Sequence, residues 1–261
     1  MQVITVFVAK GGAGKTTISA HLFGALALRG AKTLGIDLNP QAHFCANLGI
    51  EKGEAAAAWT MGLASAQLEE MVVMARPHAW MLPANDLLTM AEAGVLGAHK
   101  PVTDFRQRVR RQWDGDAVIF DTSDHGYFSE MAIAAADVIV IPVPCRAKDV
   151  SAFAPTVEVI SNVREKAGLP PAKLLVVPNM YDRRNAESEF QLRDLNTART
   201  AANAVATLPV PIAVDIDRAG KVGKLLWEAF PSHQHAAMLR NDLVAGVQWA
   251  TNGGERVHQP A

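Results

Sequence analysis

The sequence predicts an α/β protein, a doubly wound and mostly parallel sheet flanked by helices. Three observations carry that expectation. Short apolar runs alternate along the chain with longer segments that are apolar at helical spacing. The short runs are near-continuous, the pattern of strands buried on both faces. A glycine-rich loop joins the first run to the first helical segment, at the carboxyl end of a strand where such sheets hold ligands.

Taken in order, residues 3–8 are rich in β-branched side chains and end at that loop. Residues 16–29 place Ile18, Leu22, Ala25 and Leu26 at helical spacing and stop at Gly30. Residues 33–36 form a second strand ending at Asp37. Residues 54–74 are alanine-rich and read as one helix, since Ala, Leu, Gln and Glu are good helix formers. Residues 102–113 form a further helix, and 117–120 a strand ending at Asp121. Strands at 138–143 and 174–177 follow, with helices at 150–167, 186–206 and 235–250. No change of composition marks a boundary, so residues 1–251 read as a single domain. Residues 252–261, with paired glycines and a proline, read as a disordered tail.

Composition excludes several classes. The chain has 261 residues, 49% of them hydrophobic and 20% charged, with a net charge of -1. That is too apolar for an intrinsically disordered protein. A chain of this length buries roughly 75% of its unfolded surface and needs no disulfide or metal staple. The near-neutral balance argues against constitutive nucleic-acid binding and leaves room for a local basic patch. Two cysteines, Cys45 and Cys145, make neither a disulfide framework nor a metal quartet. No basic segment precedes a long apolar stretch at the N-terminus, and no run reaches the ~18 residues of a membrane span. A cytoplasmic protein is expected.

The strongest local signal is Ala9-Lys10-Gly11-Gly12-Ala13-Gly14-Lys15-Thr16-Thr17. Glycines let backbone N–H groups converge on phosphate oxygens where a Cβ would obstruct. The helix N-terminus adds its positive end. In such a loop Lys15 reaches the β- and γ-phosphates and the Thr16 hydroxyl ligates Mg²⁺. The strict pattern G-x-x-x-x-G-K-[ST] fails at its first position, which is Ala9.

The segment from Lys10 to Thr16 resembles the deviant Walker A motif of the ParA/MinD family of P-loop ATPases. Asp37-Leu38-Asn39-Pro40-Gln41 is similar to that family's Asp-x-Asp-Pro-Gln segment, Asp121 falls at its Walker B position, and Pro178-Asn179-Met180-Tyr181-Asp182 is similar to its adenine-contacting loop. The resemblance runs from Lys10 to at least Asp182 and is closest to ParA-type partition and positioning ATPases. It implies a P-loop NTPase fold with ATP and Mg²⁺ as cofactors. Gly11, Gly12, Ala13, Gly14, Lys15, Thr16, Thr17, Asn179 and Met180 are then expected to bind ATP. Thr16 would hold Mg²⁺ directly and Asp121 through water. Lys10, Lys15, Asp37 and Asn39 are the expected catalytic residues, with Lys10 reaching across an ATP-dependent homodimer. The resemblance further implies non-specific DNA binding through Arg218, Lys221 and Lys224, a ParB-like or other stimulating adaptor, and a nucleoid-associated location. The cargo would be a plasmid, a chromosome, or a protein assembly such as a carboxysome. A MinD-like membrane cycle and a metabolic ligase of the same fold are the alternatives. The last helix has few basic residues for a membrane surface, and Lys10 with 39–41 argues against the ligase. A nitrogenase-type iron protein needs cluster cysteines at places where Cys45 and Cys145 do not fall.

Two departures from the family pattern matter. Asn39 stands where the family has a carboxylate that orients the attacking water. An amide can hold a water but cannot take its proton, so slow hydrolysis is expected, with Asp37 or Asp124 as the alternative source of charge. Asp121 is followed by Thr122-Ser123-Asp124-His125-Gly126, where His125 reads first as an exposed loop histidine and second as a sensor of the γ-phosphate. His21 reads as a hydrogen-bonded packing residue, His43 as a flank of the loop region, and Cys45 as a small apolar filler. His233 and His235 alone make a weak metal signal. Arg106, Arg108, Arg110 and Arg111 cluster on one helix, and Arg183 and Arg184 follow the 178–182 loop.

Overall fold

The computed structural model describes residues 1–62 and 67–252. Eight strands form one sheet in the order β3-β4-β2-β5-β1-β6-β7-β8. These are β1 (Gln2–Val6), β2 (Thr33–Asp37), β3 (Val73–Arg76), β4 (Ala79–Leu82), β5 (Ala117–Asp121), β6 (Val138–Pro144), β7 (Lys173–Asn179) and β8 (Val205–Ala206). All neighbours are parallel except the β3–β4 pair. The predicted doubly wound sheet is the observed one, with an antiparallel hairpin added at one edge.

Helices fill the connections. In order they are α1 (Lys15–Leu28), α2 (His43–Asn47), α3 (Ala55–Met61), α4 (Leu68–Met71), α5 (Leu87–Gly97), α6 (Asp104–Gln112), α7 (Tyr127–Ala135), α8 (Ala147–Val150), α9 (Phe153–Lys166), α10 (Ala186–Ala201), α11 (Val214–Lys221), α12 (Leu226–Ala229) and α13 (Ala236–Thr251). Alternate residues of one strand enter different cores, as the pleat requires. Val138 and Val140 of β6 join a cluster with α1 and α13, whereas Ile139 and Ile141 join one with α9 and α10. Each fully buried Val, Ile or Leu contributes about 1.5–3 kcal/mol, and β6 is buried along its whole length.

Two expectations fail here and one element is unforeseen, each for an identifiable reason. The single helix at 54–74 is broken, because Gly62 closes α3 in a left-handed conformation (φ 66°) and β-branched Val72 and Val73 lead into strand β3. The edge hairpin went unseen because β4, Ala-Trp-Met-Leu, has no β-branched residue. The helix at 186–206 ends at Ala201, and Val205 then pairs beside Leu175 as an edge strand. The tail expected to be disordered lies, from residue 253 on, outside the described residues. No helix among the described residues is long and apolar enough to cross a membrane.

Candidate nucleotide-binding site

Strands β1, β2 and β5 end side by side, and their register aligns Val6, Asp37 and Asp121. Above them opens a cavity of about 820 Å³, within the usual size of a small-molecule site. Its walls come from residues 11–17 of the glycine loop, 38–41 and His43 after β2, 123–126 after β5, and Met180 after β7.

The loop is shaped by its glycines. Gly12 and Gly14 have φ of 72° and 92°, values that favour glycine. A Cβ on Gly14 would lie 2.3 Å from Asn179 Nδ2, which donates to the Ala13 carbonyl at 2.9 Å. Asn179 therefore braces the loop from behind, and only Met180 of that expected pair faces the cavity. Lys15 is tucked beneath the loop. Its Nζ donates to the Lys10 carbonyl at 3.0 Å and the Val8 carbonyl at 3.4 Å. Burial lowers its pKa, and the charges of Asp121 and Asp124 oppose that shift.

Asp121 is fully buried and does not line the cavity. It accepts hydrogen bonds from Thr16 Oγ1 at 2.8 Å and Ser19 Oγ at 2.7 Å. A hydroxyl on the cavity wall backed by a carboxylate is a donor set that suits a hard divalent cation. Asp37, expected among the catalytic residues, also lies behind the wall. Its oxygens accept the backbone N–H groups of Asn39, Phe44 and Cys45 at 3.0, 3.1 and 3.2 Å, which fixes the start of α2. With those bonds made it organises the 38–43 loop and does not meet the cavity. Burial raises the pKa of both carboxylates, and proximity of the two charges raises that of Asp121 further. Asn39 does face the cavity, and its side-chain oxygen accepts from Gln41 N at 3.0 Å.

Lys10 is folded onto its own chain. It donates to the Lys148 carbonyl at 2.6 Å and pairs with Asp149 of α8. Of the three basic candidates, Lys221 and Lys224 share a second cavity of about 370 Å³ with Thr17, His21 and Asn47, whereas Arg218 pairs with Asp215 at 3.2 Å. Thr17 lines both cavities. His21 is the packing residue its neighbours predicted. Nδ1–H donates to Thr17 O at 2.8 Å and Nε2 accepts from Leu226 N at 3.2 Å, which fixes one neutral tautomer. The arginine cluster is spent on structure, with Arg106 and Arg110 on Asp137 and Arg108 on Asp104. His125 is largely exposed beside Asp124. Leu88, Thr89 and Glu92 of α5, and Phe128 and Ser129 of α7, also line the cavity. None belongs to a motif, so sequence reading missed them.

This geometry has known counterparts. The profile of the AAA_31 family, described as an AAA domain, matches residues 1–169. The chain belongs to the AAA_31 family. That match takes in the glycine loop, Asp37, Asn39 and Asp121, and stops short of Asn179 and α11. This AAA_31 chain is 29% identical over 252 residues to the chromosome-partitioning ATPase Soj of Thermus thermophilus, covering 92% of this chain and 94% of Soj. Its fold matches an ATP complex of McdA from Cyanothece with a TM-score of 0.82, at 20% identity and 99% coverage of both chains. It also matches cobyrinic acid a,c-diamide synthase from Mycobacterium smegmatis bound to an ATP analogue and magnesium, with a TM-score of 0.80 at 24% identity, covering 98% and 97% of the two chains. The chain thus has the P-loop NTPase fold of the ParA/MinD type, and the chemistry rests on the site.

Proposed function

We propose that this protein is a ParA-type ATPase. It binds Mg·ATP, pairs with a second copy in an ATP-dependent sandwich dimer, holds nucleoid DNA non-specifically in the cytoplasm, and positions a cargo. An adaptor protein stimulates its slow hydrolysis. The observation that carries this reading is the pair of lysines on one glycine loop, Lys15 beneath it and Lys10 at its rim. Lys15 and the loop amides would hold the phosphates. Thr16 would hold Mg²⁺ and Asp121 would act on it through water; the ion neutralises charge on the β- and γ-phosphates. Lys10 becomes available to a partner's nucleotide once it leaves Asp149. Lys221 and Lys224 supply local positive charge on a chain of net charge -1, which suits binding that needs two patches joined in a dimer. A metabolic ligase is the second reading, favoured by the fold likeness to the diamide synthase; it requires a small acceptor substrate, which the positioning ATPase does not.

Light scattering on the eluting protein tests the proposal. Mg·ATP is expected to convert monomer to dimer and to confer binding to arbitrary duplex DNA that weakens steeply with salt. Lys10→Ala is expected to bind ATP and remain monomeric. A Lys10→Ala variant with unchanged dimer and turnover would overturn the cross-subunit role.

Asn39→Asp is expected to raise steady-state phosphate release about tenfold, modest for a general base because phosphoryl transfer depends mainly on positioning. Unchanged release would show that Asn39 does not limit the rate.

A further inference from the structure

We infer that Glu92 is a positioning residue for hydrolysis, setting the 123–126 loop against the phosphate end of the cavity. The inference rests on the ATPase reading above.

Glu92 belongs to α5 and lines the cavity, yet it forms no ion pair among the described residues. Its Oε1 accepts the backbone N–H of Phe128 at 2.7 Å, in the first turn of α7. A carboxylate at a helix N-terminus is favoured there by the unsatisfied N–H groups and the helix dipole. The same carboxylate presses on Gly126, the residue that caps α7. A Cβ on Gly126 would lie 2.8 Å from Oε1 and 3.3 Å from Oε2, and Gly126 has φ of 107°. Only glycine lets that carboxylate and that loop approach so closely.

From within α7, Ser129 Oγ donates toward the Ser123 and His125 carbonyls at 3.3 and 3.2 Å. The loop is therefore held by Glu92 where it enters α7, at Gly126, and along its body by Ser129. Within that loop the Asp124 side chain faces the glycine loop: a Cβ on Gly11 would lie 3.6 Å from Asp124 Oδ2. Glu92 thus fixes the gap between the two loops that would enclose the γ-phosphate. Asn39 on the cavity wall can hold a water but cannot take its proton, so positioning carries more of the catalytic load. A shift of about 1 Å at such a site costs about 10²-fold in rate.

The test compares the purified full chain with its Glu92→Ala and Glu92→Gln variants. ATP turnover and nucleotide affinity are read separately, at saturating DNA. Glutamine keeps an oxygen that accepts the Phe128 N–H, whereas alanine removes it. Glu92→Ala is expected to lower kcat at least tenfold, with affinity for Mg·ADP within threefold of wild type, and Glu92→Gln to restore most of the turnover. Equal fall of affinity and kcat would reduce Glu92 to a structural role and overturn the inference, as would wild-type turnover in a folded Glu92→Ala variant. A wild-type chain that binds Mg·ATP and turns none over would instead overturn the ATPase reading itself, and this inference with it.

Discussion

Asp121→Asn is expected to make the nucleotide-free protein more stable while removing its response to Mg²⁺. Asp121 and Asp37 end neighbouring strands, both fully buried. Burial and mutual repulsion raise the pKa of Asp121 above its unfolded value. The folded state then holds a proton that the unfolded state has released. Stability from that proton is present below the unfolded value of about 3.9 and is lost as pH rises through the higher folded value. An amide in place of the carboxylate still bonds to the Thr16 and Ser19 hydroxyls, which rotate to suit. The expected gain is about 1–2 kcal/mol at pH 8, vanishing toward pH 4. Thermal melts across that range, with and without Mg·ADP, check both halves. A variant no more stable than wild type at pH 8 would show that the carboxylate is compensated in the folded state. Extra stabilisation by Mg²⁺ equal to that of wild type would remove Asp121 from the metal site.

Lys15→Ala is expected to weaken Mg·ATP binding by about 10²-fold without unfolding the protein. Charge-assisted hydrogen bonds to phosphate each contribute about 1.5–3 kcal/mol, and 1.4 kcal/mol is tenfold in affinity. The ammonium lies buried beneath the loop, where desolvation already disfavours its charge. Removing it therefore costs little in the absence of nucleotide. Titration calorimetry with a non-hydrolysable ATP analogue and Mg²⁺ reads the first effect and a thermal melt the second. Affinity within threefold of wild type would refute the assignment. Lys15→Arg is not a conservative control, since a planar fork does not fit the place of a compact point charge.

The two predictions draw on parts of the site that were legible to different degrees. Lys15 and Thr16 were plain from spacing, because a strand, a glycine loop and a helix are contiguous and one local conformation places both. Asp121 was legible as an acid closing an apolar run. Asp37 was legible as a residue and not as a role. Its three backbone donors lie two, seven and eight residues downstream, and only the turn into α2 shows that it organises that turn. The bond from Asn179 to Ala13 was not legible, since it spans most of the chain.

The sequence by itself determined the sheet's buried strands, the glycine loop and the family, because each follows from short-range pattern and backbone sterics. Tertiary structure alone decided the edge hairpin, the attachment of Lys10 to Asp149, the joining of Lys221 and Lys224 around a cavity that also touches Thr17, and the clamp of Glu92 on Gly126. These contacts join groups 34 to 207 positions apart, or depend on how an edge strand pairs. No local spacing encodes them; packing of α5, α8 and α11 around the strand ends brings them together.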